Sequence, residues 1–163
     1  MNKNKGFTLI ELVITLAILA IVASIAVPKF NSMMETKSLD DAAREMSIVL
    51  NEARSKASLV RNFVVVCPSK DSGDKEITKK DCIGKELTST DSVDDLIAQN
   101  RVFIANIPKA VMLSSGSNLS VLFNADGTVK AKKTFKFCAD KESKNVSISI
   151  IGGVEQVKGE SCS

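Results

Sequence analysis

The chain has 163 residues, with 22 lysines and arginines against 19 aspartates and glutamates for a net charge of +3, four cysteines and no histidine. Without histidine, Ser-His-Asp triads, histidine metal sites and charge switches near neutrality are excluded. The length leaves room for about one domain beyond any hydrophobic arm, and so even a charge balance is not that of a globally basic nucleic-acid binder.

Residues 7–27 form an almost unbroken apolar run, close to the roughly 20 residues a helix needs to span a hydrocarbon core, with one acid, Glu11, set inside it. A charge deep in a bilayer costs roughly 2.5–3.5 kcal/mol on insertion scales, so Glu11 reads as a functional residue that needs a partner. No small-residue A-x-A-like site with a polar start after it closes the run before Pro28 and Lys29, which argues against an ordinary cleaved secretory signal. Lys3 and Lys5 precede the run, so the positive-inside bias places the N-terminus in the cytoplasm and everything after Pro28 outside. Cys67, Cys82, Cys138 and Cys162 then lie in an oxidising space and suit two disulfides, with three pairings open. Zinc is the rival reading of the cysteines, but there is no histidine and no C-x-x-C pair.

After Pro28 the apolar period changes. Leu39, Ala42, Ala43, Met46, Val49, Leu50, Ala53, Ala57 and Val60 recur at three and four, the stripe of an amphipathic helix. One helix from Phe7 to about Val60 is expected, with Pro28 at the join of its halves, where a missing backbone hydrogen bond invites a kink or local melting. The β-branched run at 63–66 predicts a buried strand. Residues 69–95 are polar and predict a long loop. Further strands are expected at 101–104, 110–113, 119–123, 129–132, 134–138, 146–151 and 154–157, with a hairpin turn at Asn124-Ala125-Asp126-Gly127. The result is an α+β chain, a long N-terminal helix packed on a mostly antiparallel β-sheet head.

Few residues carry chemistry. Asp91, Asp94 and Asp95 lack the ligand ladder of a calcium loop and read as a capped helix start or solvated loop, so no metal site is expected. Lys130, Lys132, Lys133 and Lys136, with Lys141 and Lys144 beyond, form the one basic concentration. Lys130 and Lys132 alternate onto one face of the expected strand and define a candidate nucleic-acid contact, but no flanking aromatics stand ready to stack bases, and a solvated face is the favoured reading.

The stretch Lys5-Gly6-Phe7-Thr8-Leu9-Ile10-Glu11-Leu12-Val13 resembles the leader junction of type IV pilins and type II secretion pseudopilins. The resemblance implies cleavage between Gly6 and Phe7 by prepilin peptidase and N-methylation of Phe7. It also implies an assembly role for Glu11, which would neutralise the new Phe7 amine of a neighbouring subunit. Residues 61–67 with Cys82, then 122–127, then 135–138 with Gly152-Gly153 and Cys162, resemble the FimU/FimT-type minor pilins and the related GspH-type minor pseudopilins. That pattern implies the type IV pilin fold and the pairs Cys67–Cys82 and Cys138–Cys162. The implied organisation is a leader at 1–6, a filament-core helix at 7–27 and an exported head at 28–163 that includes the amphipathic half of the helix. A non-enzymatic minor subunit that primes or tips filaments follows, with no cofactor, in support of twitching motility, adhesion or DNA uptake. Its implied partners are other minor pilins and a major pilin, prepilin peptidase, the inner-membrane assembly platform and, before assembly, membrane lipid. Its implied location is the inner membrane first and the pilus at the cell surface after. The alternatives are a DNA-binding FimT-like pilin and a GspH-type pseudopilin of a secretion system.

Overall fold

A computed structural model describes residues 8–87 and 93–162. The chain divides into two compact units, Met1–Met34 and Glu35–Ser163. Helix α1 spans Leu9–Val60 and is helical through Pro28. Its residues up to Met34 belong to the first unit, where the large apolar side chains are exposed, and those from Glu35 to the second.

In the second unit the stripe at spacings of three and four does what its period demands. Leu39 through Ala57 of that stripe are buried against the sheets, together with Val64, Val66, Val121, Phe123, Phe135 and Phe137. Val60 is the exception, 38% exposed, because the helix ends there. Arg61 turns into the left-handed region at φ 49° and the Asn62 N–H donates to the Ala57 carbonyl at 3.2 Å, a Schellman-type close. Arg101 fastens this corner. Its Nε donates to the Phe63 carbonyl at 2.9 Å, its guanidinium donates to Asn62 Oδ1 at 2.6 Å, and it lies 4.0 Å over the Phe63 ring.

Two sheets follow. The first, in the order β2-β1-β4, is built from β1 (Val64–Pro68), β2 (Val102–Ala105) and β4 (Val121–Phe123). The second, in the order β3-β5-β6-β7, comprises β3 (Met112–Leu113), β5 (Lys133–Ala139), β6 (Glu142–Ile148) and β7 (Val154–Lys158). All pairs are antiparallel except β1 with β2, which run parallel with Val65 opposite Val102. The expected antiparallel head is thus mixed at one pair. The cause is what lies between: the polar stretch expected as a loop carries α2 (Lys79–Glu86) and, with α3 (Val93–Ala98), supplies the helical crossover that parallel neighbours require. Val65, Cys67 and Val102 bury beneath Ile77, Cys82, Ile83 and Leu96 from this layer, while Val64 and Val66 face α1. Strand β1 is therefore covered on both faces, which is why its sequence is apolar without alternation.

A second correction concerns 129–132, expected as a strand. The turn before it forms, with the Asn124 N–H donating to the Thr128 carbonyl at 2.8 Å, but the Val129 N–H then donates to the Ile150 carbonyl at 2.9 Å. The segment crosses to the β6–β7 turn instead of returning along β4. Lys130 and Lys132 are exposed on irregular backbone and do not alternate on a strand face.

Helix α2 starts with a reciprocal cap. Thr78 Oγ1 accepts from the Asp81 N–H at 3.2 Å and Asp81 Oδ2 accepts from the Thr78 N–H at 3.0 Å. The bonds from the Thr78 side chain and backbone favour the charged carboxylate and hold Asp81 below the usual range. A lowered folded-state value means that its contribution is complete above the ordinary carboxylate value of about 4 and is lost as pH falls through the lower, folded value. Amide chemical shifts of residues 79–86 in the full chain are expected to move toward unstructured values only on acidification below about pH 4. Asp81→Asn should abolish that pH dependence.

Candidate assembly surface

Gly6 and Phe7, the expected junction, lie outside the described residues. Glu11 is within them, in the first turn of α1. Thr8 caps the helix: its Oγ1 accepts from the Glu11 N–H at 3.3 Å and its carbonyl from the Leu12 N–H at 3.2 Å. Glu11 therefore stands three residues past the cap, where the helix dipole favours an acid by about 0.3–1 kcal/mol. Sequence reasoning missed Thr8, although the spacing Thr8-x-x-Glu11 is the signature of a capped start. Capping alone does not account for an acid here. Its gain is smaller than the roughly 2.5–3.5 kcal/mol cost of a charge deep in a membrane.

The helix around Glu11 is apolar on every side. Leu9, Ile10, Ile18 and Leu19 are each more than half exposed, and their positions run all round the axis. A helix hydrophobic all round is one that ends up covered by lipid or by other helices, and α1 is long and apolar enough to cross a membrane. Its hydroxyls cost little there, because Thr15 Oγ1 donates to the Leu12 carbonyl at 2.8 Å and Ser24 Oγ to the Ile21 carbonyl at 2.7 Å. Glu11 is left as the only charged side chain between residues 8 and 27.

In the head, Cys67 is joined to Cys82 and Cys138 to Cys162, with Cα atoms 5.8 and 5.9 Å apart. The first ties α2 to β1. The second holds residues 159–162 against the outer face of β5 and β6, where Ser143 Oγ also donates to the Glu160 carbonyl. Gln156 reaches the other way. Its Nε2 donates to Ser47 Oγ of α1 at 2.8 Å, so this side chain locks β7 to the helix.

The lysines do not make one stripe. Lys133 is 3.1 Å from Glu86 Oε1, which also accepts from Ser120 Oγ at 2.8 Å, and Lys144 pairs with Asp40. Lys136 stands exposed on β5, while Lys130 and Lys132 sit on the crossing segment. Of the three acids weighed for calcium, Asp91 lies outside the described residues, and Asp94 and Asp95 occupy the first turn of α3. Asp94 is 3.6 Å from Lys80.

A long helix whose second half buries one stripe in an α+β head and whose exposed first half is apolar with a single acid over residues 8–27 defines the pilin and pseudopilin class. Residues 1–27 match the prokaryotic N-terminal methylation motif, and residues 42–152 match the type II transport protein GspH. The chain belongs to the GspH family. Two fimbrial proteins of Pseudomonas aeruginosa are each 33% identical to it over 102 residues, covering 60% of this chain and 66% of the relative. The crystal structure of the type IV minor pilin FimU from the same organism superposes with a TM-score of 0.51 at 20% identity, covering 80% of this chain and 99% of that one. The fold is that of a type IV pilin.

Proposed function

We propose that this chain is a minor subunit of a type IV pilus, made as a membrane-anchored precursor with its head exported and drawn into the filament to prime or tip its assembly. The observation that carries the reading is Glu11, a lone carboxylate in a half-helix whose apolar side chains are exposed. Cleavage between Gly6 and Phe7 would create a cationic amine on Phe7, and Glu11 of a neighbouring subunit neutralises it as the helix leaves lipid. Pro28 gives the helix a point at which to bend on entering a packed core. Function lies in assembly contacts with other minor pilins, a major pilin, the peptidase and the inner-membrane platform.

Gly6→Val tests the processing step. The bulkier residue is expected to leave residues 1–6 attached, and intact-mass measurement of the membrane-extracted chain reads this directly. A mature chain beginning at methylated Phe7 in that variant would refute the junction.

The GspH match favours a second reading, a minor subunit of a type II secretion pseudopilus. The two part on location: the pilus reading places the chain in filaments sheared from the cell surface, whereas the pseudopilus reading predicts a secretion defect on deletion without surface filaments. The DNA-contact reading is weaker than either, since Lys133 is held by Glu86 and the remaining lysines do not share a strand face.

A further inference from the structure

Where β6 turns into β7 the head exposes two isoleucines side by side, Ile150 at 59% and Ile151 at 73%. Neither belongs to the core. The turn that carries them is braced: the Gly152 N–H donates to the Ser149 carbonyl at 2.8 Å, the Ser149 N–H to the Gly153 carbonyl at 2.9 Å, and the Val129 N–H to the Ile150 carbonyl at 2.9 Å. Gly152 sits at φ 80° with Arg54 and the Gly127 carbonyl against it, so any side chain there would be strained and crowded. Two adjacent large apolar side chains held out on a braced turn add nothing to the core, and the charges around them say what covers them.

Those charges are mostly positive. Arg54 packs against Gly127 and Gly152, and Arg61 closes α1 one turn beyond Ser58, whose hydroxyl also abuts Gly127. Lys130 follows Val129 on the crossing segment and is exposed, while Lys132 shares a shallow hollow with Ser149 and Glu155. The acids placed here are Glu155, which offsets Lys132, and Asp126 in the turn of Gly127. Arg54, Arg61 and Lys130 are left against Asp126 alone, and among the described residues none of these three cations is in an ion pair.

We infer that this end of the head docks on an anionic lipid bilayer, with Ile150 and Ile151 entering the interface and Arg54, Arg61 and Lys130 meeting lipid phosphates. An apolar pair ringed by net positive charge is complementary to that partner, because apolar burial and attraction to an anionic leaflet add. Each cation near such a leaflet strengthens binding about fivefold. Nucleic acid offers phosphates but no apolar layer for the isoleucines, and none of the residues here is an aromatic able to stack a base. A second copy would bring the same positive charge to the contact. Arg54 and Ser58 lie roughly 30 Å along α1 from Glu35, where the head unit begins, so the docking end is the far end of that unit. The bilayer it meets is one other than the membrane holding the anchor, and this last step rests on the tip-subunit reading.

The test uses the full-length chain in nanodiscs of phosphatidylcholine, to which separate vesicles are added, either phosphatidylcholine alone or mixed two to one with phosphatidylglycerol. Flotation is expected to carry the loaded nanodiscs, and not empty ones, with the phosphatidylglycerol vesicles only, and added salt should release them. Ile150→Ser with Ile151→Ser should weaken binding by about tenfold or more, and Lys130→Gln with Lys132→Gln by about tenfold. Met112→Ser, at a site 59% exposed on β3 opposite Cys138, should leave it unchanged. As an independent reading, Ile151→Cys is checked by peptide mapping for the two native disulfides and labelled with an environment-sensitive dye. Its emission should shift to the blue with anionic vesicles. No flotation, equal flotation with neutral vesicles, binding that survives the isoleucine changes, or an unshifted dye would each overturn the contact. Tighter binding to duplex DNA, or pairing of the nanodiscs with one another through this turn, would also overturn it and give the surface to nucleic acid or a second copy. Processing at Gly6 and copurification with filaments are read separately, so failure of this contact and failure of the subunit reading are distinguishable.

Discussion

Glu11→Ala is expected to insert into the membrane at least as well as the unaltered chain, to be cleaved and methylated, and then to be depleted from filaments about tenfold or more. The two halves of this expectation come from one physical fact. Removing the carboxylate relieves an insertion cost whose upper bound is the roughly 2.5–3.5 kcal/mol of a charge at the membrane centre, while on the proposed pairing it would delete a charge-assisted bond to the neighbouring amine, of a kind worth about 1.5–3 kcal/mol. Glu11→Gln keeps the shape and loses the charge, so it should behave like alanine. Thr8→Ala separates assembly from capping, since it removes the acceptor for the Glu11 N–H yet leaves the acid in place. It is expected to enter filaments almost normally. Quantitative immunoblots of membrane and sheared-filament fractions check all three, and equal incorporation of Glu11→Ala would remove the assembly role.

Phe137→Ala is expected to destabilise the head by about 3–5 kcal/mol, the usual range for truncating a buried phenylalanine. Its side chain is fully buried on β5 within the cluster that joins both sheets to α1. For a head of this size the loss corresponds to a fall in melting temperature on the order of 10–20 °C. Val60→Ala supplies the contrast. It is the last residue of α1 and is 38% exposed at the point where the chain turns away, so a change within about 0.5 kcal/mol is expected. Thermal melts of the detergent-solubilised full chain, with disulfides intact, measure both.

Val60 also shows where sequence periodicity stops being informative. Leu39 and Val60 both satisfy the three-and-four spacing, and only the left-handed turn at Arg61 decides that the last of them faces solvent. Strands with clear alternation, such as β5 with Phe135 and Phe137 inward and Lys136 outward, were legible to within a residue. The start of β6 was not: Ser143, Lys144 and Asn145 look like loop, yet they pair in register with Cys138, Phe137 and Lys136 of β5. Helix α2 hid in a polar stretch containing Gly84, although Thr78-x-x-Asp81 marks its start. The parallel direction of β2 depended on that missed helix. The lysine stripe failed for a related reason, since Lys133 is claimed by Glu86, far away in sequence.

At the candidate site the balance is reversed. A glycine, a phenylalanine and an acid at set spacing before an apolar helix are local features, and local features survive in sequence.

The most direct test of the filament-subunit account is mass spectrometry of filaments sheared from the cell surface, searching for the N-terminal peptide of this chain. The account predicts a peptide that begins at N-methylated Phe7, present in the sheared fraction and lost from it in Glu11→Ala. A chain found solely in the membrane fraction, still beginning at Met1 and with Gly6 joined to Phe7, would contradict it.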